Sequence, residues 1–159
     1  MFYFSHSPLE SLNLKHDLPP RPQAGAVTIF EGIVRDHNEG KKVIALEYEA
    51  FDKLAGQEAE KIFQEAKKKF DVLDMKCVHR VGKLSVGEMA VWVGISASHR
   101  DSAFQACRYV IDEIKTRLPI WKKEYYAGGD SGWVNCQEDG GLVKKINHEK
   151  IQHHDKNRG

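Results

Sequence analysis

Basic side chains stand at three places in this sequence where packing does not require them. His99-Arg100 opens a helical pattern that runs on to Arg117. The first turn of a helix carries unpaired N–H groups and a partial positive charge, so it attracts anions. Two cationic side chains there oppose the helix dipole. A bound phosphate or carboxylate would account for the pair; so would two side chains simply turned into solvent. Arg35 ends a strand pattern beside a glycine-containing turn, and by itself it reads as an ordinary surface arginine. The third place is the run Lys115-Thr116-Arg117-Leu118-Pro119-Ile120-Trp121-Lys122-Lys123-Glu124. Lys115 follows Phe104 by eleven residues and Ile111 by four, so at about 100° per residue it borders the apolar stripe. A lysine partly withdrawn from water has a lowered pKa and can serve as nucleophile or proton carrier near neutrality. Pro119 breaks the helix, after which the chain can fold back and bring Lys122 towards Lys115. Each ammonium would then lower the pKa of the other. The alternative is a pair of snorkelling lysines at a helix end, where cations suit the dipole. Lys123 adjoins Lys122 but faces the other side of a strand and is assigned no role.

Other chemistry has little support. Cys77, Cys107 and Cys136 form no C-x-x-C pair, which argues against a zinc ribbon or a disulfide framework and for reduced thiols. His148, His153 and His154 lack partner ligands at a metal spacing and read as solvated. Trp121 and Trp133 read as core or interface residues. Neither G-x-x-x-x-G-K-[ST], G-x-G-x-x-G nor G-x-S-x-G occurs, so nucleotide hydrolysis, dinucleotide binding and serine-hydrolase chemistry lack their motifs.

Positioning these residues falls to an alternation of strand and helix patterns. Residues 2–4 read as a short strand. The polar, proline-bearing residues 5–25 read mostly as connection, with a helical turn near Leu9 to Leu12. Val27, Ile29, Ile33 and Val34 form a strand interrupted at Gly32, where a bulge or a close approach is expected. Asn38-Glu39-Gly40-Lys41 supplies a turn, and Val43 to Glu49 returns, so the two runs are expected to form one hairpin with Arg35, Asp36 and His37 near its tip. Residues 53–70 carry Leu54, Ala55, Ala59, Ile62, Phe63, Ala66 and Phe70 at three- and four-residue steps, the mark of an amphipathic helix. Strands follow near 75–81 and 90–97. A second helix begins after Ser98, with Ser98 and Asp101 as a capping-box variant. Ala103, Cys107, Val110 and Ile114 form its stripe, Phe104 and Ile111 flank it, and Pro119 ends it. A strand over 120–126, a glycine-rich loop over 128–132 and Trp133-Val134 complete the order. This is an α+β sandwich: a mostly antiparallel sheet with two main helices.

The bulk properties agree. With 159 residues, 41% hydrophobic and 30% charged, the chain suits one domain, expected over 1–137 and followed by a flexible polar tail over 138–159. A net charge of +1 argues against a general nucleic-acid binder. Met1 to Phe4 is too short for a signal peptide, and no run approaches the ~20 apolar residues of a membrane helix. A cytoplasmic protein without membrane attachment is expected.

Several segments recur together in one known family. Gly25-Ala26-Val27, Gly32-Ile33-Val34-Arg35, Leu46-Glu47-Tyr48-Glu49-Ala50, His79-Arg80-Val81-Gly82, Ser98-His99-Arg100-Asp101-Ser102-Ala103-Phe104 and Lys115 to Glu124 resemble, in this order, the large catalytic subunit of molybdopterin synthase. The likeness runs from about residue 24 to 136. It implies an α/β hammerhead-type fold and a homodimer at the core of a heterotetramer, with one small ubiquitin-like sulfur carrier at each outer end. It further implies that the carrier's Gly-Gly thiocarboxylate enters the large subunit's pocket. Two sulfur transfers there convert cyclic pyranopterin monophosphate into the dithiolene of molybdopterin, a step of molybdenum cofactor biosynthesis, with no cofactor or metal. Carried over by position, Lys115 and Lys122 match the catalytic lysines. Arg35, His99 and Arg100 match the substrate-anion residues, the helix-start pair coming across the dimer. Gln137 stands where some relatives have a basic residue, which removes one expected anion contact. Two rivals remain at this point: an anion-binding dimer that has no need of Lys115 and Lys122, and a single-stranded RNA binder built around Trp121.

Overall fold

The computed structural model of the chain describes residues 1–138; the tail expected over 138–159 lies outside them from residue 139 on, as do His148, His153 and His154. Two sheets form the frame. The first has the strand order β1 (Phe2–Ser5), β5 (Val72–Arg80), β7 (Met89–Ala97), β2 (Ala26–Ile33). In the second, β3 (His37–Asn38), β4 (Lys41–Ala50), β8 (Ile120–Tyr126) and β9 (Gly129–Asn135) lie in order, with β6 (Gly82–Ser85) also paired to β4. Every pairing is antiparallel except β1 with β5. The helices α1 (Asp52–Lys69) and α2 (Arg100–Arg117) complete the α+β architecture. No helix among the described residues is long and apolar enough to cross a membrane.

The core lies between the two helices and one face of the first sheet. Ala55, Ala59, Ile62, Phe63 and Ala66 of α1 meet Ala103, Ala106, Cys107, Val110, Ile111 and Ile114 of α2 over Met75, Cys77, Val91, Val93 and Ile95. Each helix thus turns one stripe inward, as the 3.6-residue period requires. Leu54, assigned to the stripe of α1, and Phe104, expected to flank that of α2, both face solvent, each 60% exposed.

The opposite face of the first sheet is covered too, so β7 is buried from end to end. Its cover is the segment expected to be mostly connection, and the helical turn expected near Leu9 to Leu12 is part of it. Two 3-10 turns, Leu9–Ser11 and Leu14–Asp17, lay Leu9, Leu14 and Leu18 on Val78, Met89 and Trp92. Lys76, 1% exposed, pins them by donating to the Leu14 carbonyl and to Asp17 Oδ2, both at 2.8 Å.

The long hairpin expected from 26–34 and 43–49 does not form. β2 pairs with β7 from Ala26↔Ala97 to Ile33↔Met89, with a bulge at Gly32/Ile33. β4 has no edge to offer it, because β8 takes one side and β3 and β6 the other. The turn chemistry is still used: Glu39 and Gly40 adopt φ of 50° and 76°, the left-handed pair of a two-residue hairpin joining the short β3 to β4. The loop expected over 128–132 is likewise mostly strand, since β9 starts at Gly129 and pairs back on β8. α2 begins at Arg100 with His99 as its N-cap and no capping side chain, so the Ser98/Asp101 box is absent. Asp101 accepts instead from Gln105 one turn on. Its end is as expected: Leu118, just before Pro119, is extended at φ −77°, ψ 138°.

Candidate active site

Between the two sheets and the C-terminal half of α2 opens a cleft of about 1250 Å³. Its floor is one row of the first sheet, where register sets His79 opposite Val91 and Val91 opposite Gly32. A Cβ on Gly32 would come within 2.6 Å of Val91 Cγ1, so the glycine keeps this floor low. One wall is α2, through Ile111, Ile114 and Lys115; the other is β8, through Ile120, Lys122 and Glu124. Arg35, His37 and Asn38 close the side where the chain passes from β2 into β3, and Cys136 also lines the space.

Of the residues singled out by sequence, the fold gathers Arg35, Lys115 and Lys122 into this one cleft. Lys115 projects from the last turn of α2 and is exposed in the single chain, so this chain by itself does not supply the desolvation expected for it. Lys122 is half-buried and lies 3.3 Å from Glu124 Oε1. The two side chains stand two residues apart and so share a strand face. Lys123 faces the other way, its ammonium 4.9 Å above the Trp133 ring.

Glu124 is the hub that sequence reading missed. Asn38 Nδ2 donates to both of its oxygens, at 3.0 and 2.9 Å, and the Tyr126 hydroxyl donates to Oε2. Asn38 in turn accepts from Arg35 Nη2 at 3.4 Å. A polar chain therefore runs Arg35–Asn38–Glu124–Lys122 across the cleft. Burial pushes the Glu124 carboxyl up, but the bonds from Tyr126 and Asn38 and the Lys122 charge outweigh it and hold the group below its ordinary value. The i,i+2 spacing of Lys122 and Glu124 was the one sequence signal for this hub; Asn38 lies too far along the chain to have been paired with it.

His99 and Arg100 are not part of this cleft. Both are exposed at the start of α2, while Lys115 lies near its end. Fifteen residues at 1.5 Å each separate Arg100 from Lys115 by about 22 Å along the axis. Gln137, named above as a departure from the resemblance, donates its amide to the Arg117 carbonyl at 2.7 Å and so caps the end of α2. Among the described residues no cluster of His, Cys, Asp and Glu has the form of a metal site.

Chemically, the cleft offers three cations around a space large enough for a bicyclic or tricyclic ligand, with one carboxylate tying two of them into a network. That set suits an anionic substrate and proton transfer at lysines. The family profile described as "MoaE protein" matches residues 4–117. The molybdopterin synthase catalytic subunit of Thermoplasma volcanium is 45% identical over 113 residues, which is 71% of this chain and 82% of the relative. A crystal structure of molybdopterin synthase from Staphylococcus aureus superposes with a TM-score of 0.76 at 32% identity, covering 84% of this chain and 96% of that one. A protein–protein complex of subunits 1 and 2 of molybdopterin-converting factor from Helicobacter pylori shares the fold, with a TM-score of 0.59 at 22% identity over 79% of this chain and 80% of that one. The chain belongs to the MoaE protein family, that of the molybdopterin synthase catalytic subunit.

Proposed function

We propose that the cleft carries out sulfur transfer from the C-terminal thiocarboxylate of a small carrier subunit to cyclic pyranopterin monophosphate, building the molybdopterin dithiolene in the cytoplasm. The observation that carries this reading is the convergence of Arg35, Lys115 and Lys122 on one cleft in a chain of this family. Arg35 offers a charged hydrogen-bonding fork for the phosphate. Sulfur attacks a side-chain carbon of the pterin while oxygen departs as water, a step that needs a proton delivered and negative charge held. Lys115 serves as acid and base, and Lys122, oriented by Glu124, stabilises the charge. Water then cleaves the acyl–sulfur bond and releases the carrier as a carboxylate.

The carrier's tail supplies what the single chain lacks, since an extended peptide laid beside Lys115 would exclude water from its ammonium. The complex of the two Helicobacter pylori subunits, built on the same fold, supports such a partner. His99 and Arg100 enter as the anion contacts of a second copy in a homodimer, which accounts for their distance from Lys115 on their own helix.

The test is conversion in vitro of cyclic pyranopterin monophosphate by the full chain with thiocarboxylated carrier, comparing wild type with Lys115→Ala. Product from the wild type and a loss of about a hundredfold or more in the variant, both folded, is the expected result. Equal rates would leave Lys115 outside the chemistry. No product from a folded wild type bound to its carrier would sink the assignment as a whole.

A further inference from the structure

One group at the cleft floor has no part in the chemistry above. His79 is 8% exposed, yet it lines the cleft beside Lys115. Its ring is held edge-on by Tyr48 (centroids 4.9 Å apart, 85° between planes) and by Phe4 (6.0 Å, 65°). Nδ1 lies 2.7 Å from the Arg80 carbonyl oxygen. A carbonyl oxygen only accepts, so Nδ1 carries the proton and Nε2 is the bare nitrogen. Among the described residues no donor reaches Nε2.

We propose that His79 is a substrate-contact residue, whose Nε2 accepts a hydrogen bond from an N–H of the pterin ring system seated over the floor row His79–Val91–Gly32. The proposal rests on the reading of the cleft as the pterin site. Several features assign this contact to the ring rather than to the phosphate. An uncharged nitrogen acceptor carries a lone pair and would repel an anionic oxygen. Arg35, Lys115 and Lys122 only donate, so they serve the anion and the departing oxygen. The carboxylate of Glu124 is already occupied by Asn38, Tyr126 and Lys122, and Glu31 and Glu39 are exposed. His79 therefore offers a buried neutral acceptor where a flat heterocycle can lie on Val91 and in the space left by Gly32. Burial, and to a smaller extent the Lys115 charge, push its pKa down to about 4 against the raising effect of the Arg80 carbonyl, so it stays neutral at physiological pH.

The test uses the full chain with its carrier bound. Cyclic pyranopterin monophosphate is titrated into wild type and His79→Asn, whose shorter amide can still donate to the Arg80 carbonyl but leaves no acceptor at the Nε2 position. Affinity should fall about tenfold to a hundredfold, with carrier binding unchanged. In parallel, wild type labelled with ¹⁵N-histidine should show the His79 Nε2 signal moving upfield as the ligand binds. That second measurement decides the matter if His79→Asn fails to fold. Unchanged affinity in a folded variant, or an Nε2 signal that stays still while wild type binds, overturns the role of His79 and leaves the function standing. A folded wild type that binds no pterin overturns both.

Discussion

At Glu124 burial and local bonding pull in opposite directions, and the bonding wins. Glu124→Gln keeps the shape but removes the charge that Lys122 faces at 3.3 Å. Conversion should fall by about tenfold or more, the scale of losing one charge-assisted contact in a transition-state network. Stability should fall by about 1–3 kcal/mol at neutral pH. The sign with pH follows from the depressed folded-state pKa. The stabilising contribution is complete above the ordinary value of 4.5 and is lost as pH falls through the lower folded value. Urea unfolding should therefore separate wild type from Glu124→Gln at pH 7 and bring the two together in acid; a gap that persists at low pH would show that packing and not charge is at stake. Much of this residue-level picture was legible. Lys122 and Glu124 had to share a strand face. Lys115 had to border the stripe of α2, though Phe104, used to place it, faces solvent, and Ile111 and Ile114 are its true neighbours in the cleft wall. Asn38 and His79 were not legible as site residues, because each reaches the cleft only through pairings between distant strands, which local periodicity does not record.

Elements show the same division. Helix positions followed from the 3.6-residue period and from Pro119, whereas strand partners did not follow from alternation. β2 and β4 both read as good strands, and only the occupation of both edges of β4 rules out their hairpin. Where α2 begins depends on a close approach that the sequence marks only with a glycine. Gly25 N donates to the Ala97 carbonyl at 3.0 Å, and a Cβ at Gly25 would fall 2.2 Å from the Ser98 carbonyl oxygen. Backbone, not a flexible side chain, stands in the way, so Gly25→Ala must displace the chain that leads into His99 and Arg100. Thermal unfolding should show a destabilisation of about 1–3 kcal/mol, as for other overpacked sites. Pterin phosphate affinity should drop with it if the start of α2 touches the ligand in the assembled enzyme. Full stability in Gly25→Ala would mean that the Ser98 peptide yields freely.

For the molecule as a whole, the two ends of α2 pose a question of assembly. Lys115 stands in the cleft with Arg35 and Lys122, while His99 and Arg100 sit about 22 Å away along the same axis, too far to reach one small ligand together with Lys115. If the helix-start pair belongs to the site, a second copy must bring it, and a two-fold dimer would do so reciprocally. Sequence reading placed both groups on one helix and could measure their separation, but the surface that joins two copies leaves no periodic trace. Mixing variants separates the possibilities. Lys115→Ala and Arg100→Ala, each expected to be impaired alone, are co-refolded or co-expressed with different tags, and the mixed dimer is isolated. If each site draws Lys115 from one copy and Arg100 from the other, a mixed dimer holds one site with both residues intact and one lacking both. Its conversion rate should then recover to about half that of a wild-type dimer, and to about a quarter in an unsorted random mixture. Should both residues serve the cleft of their own chain, every site in the mixed dimer carries one lesion and no recovery follows. Recovery would establish the shared site from activity alone, whereas its absence, with the mixed dimer shown to form, would return Arg100 to the solvent-facing role that its exposure in the single chain also allows.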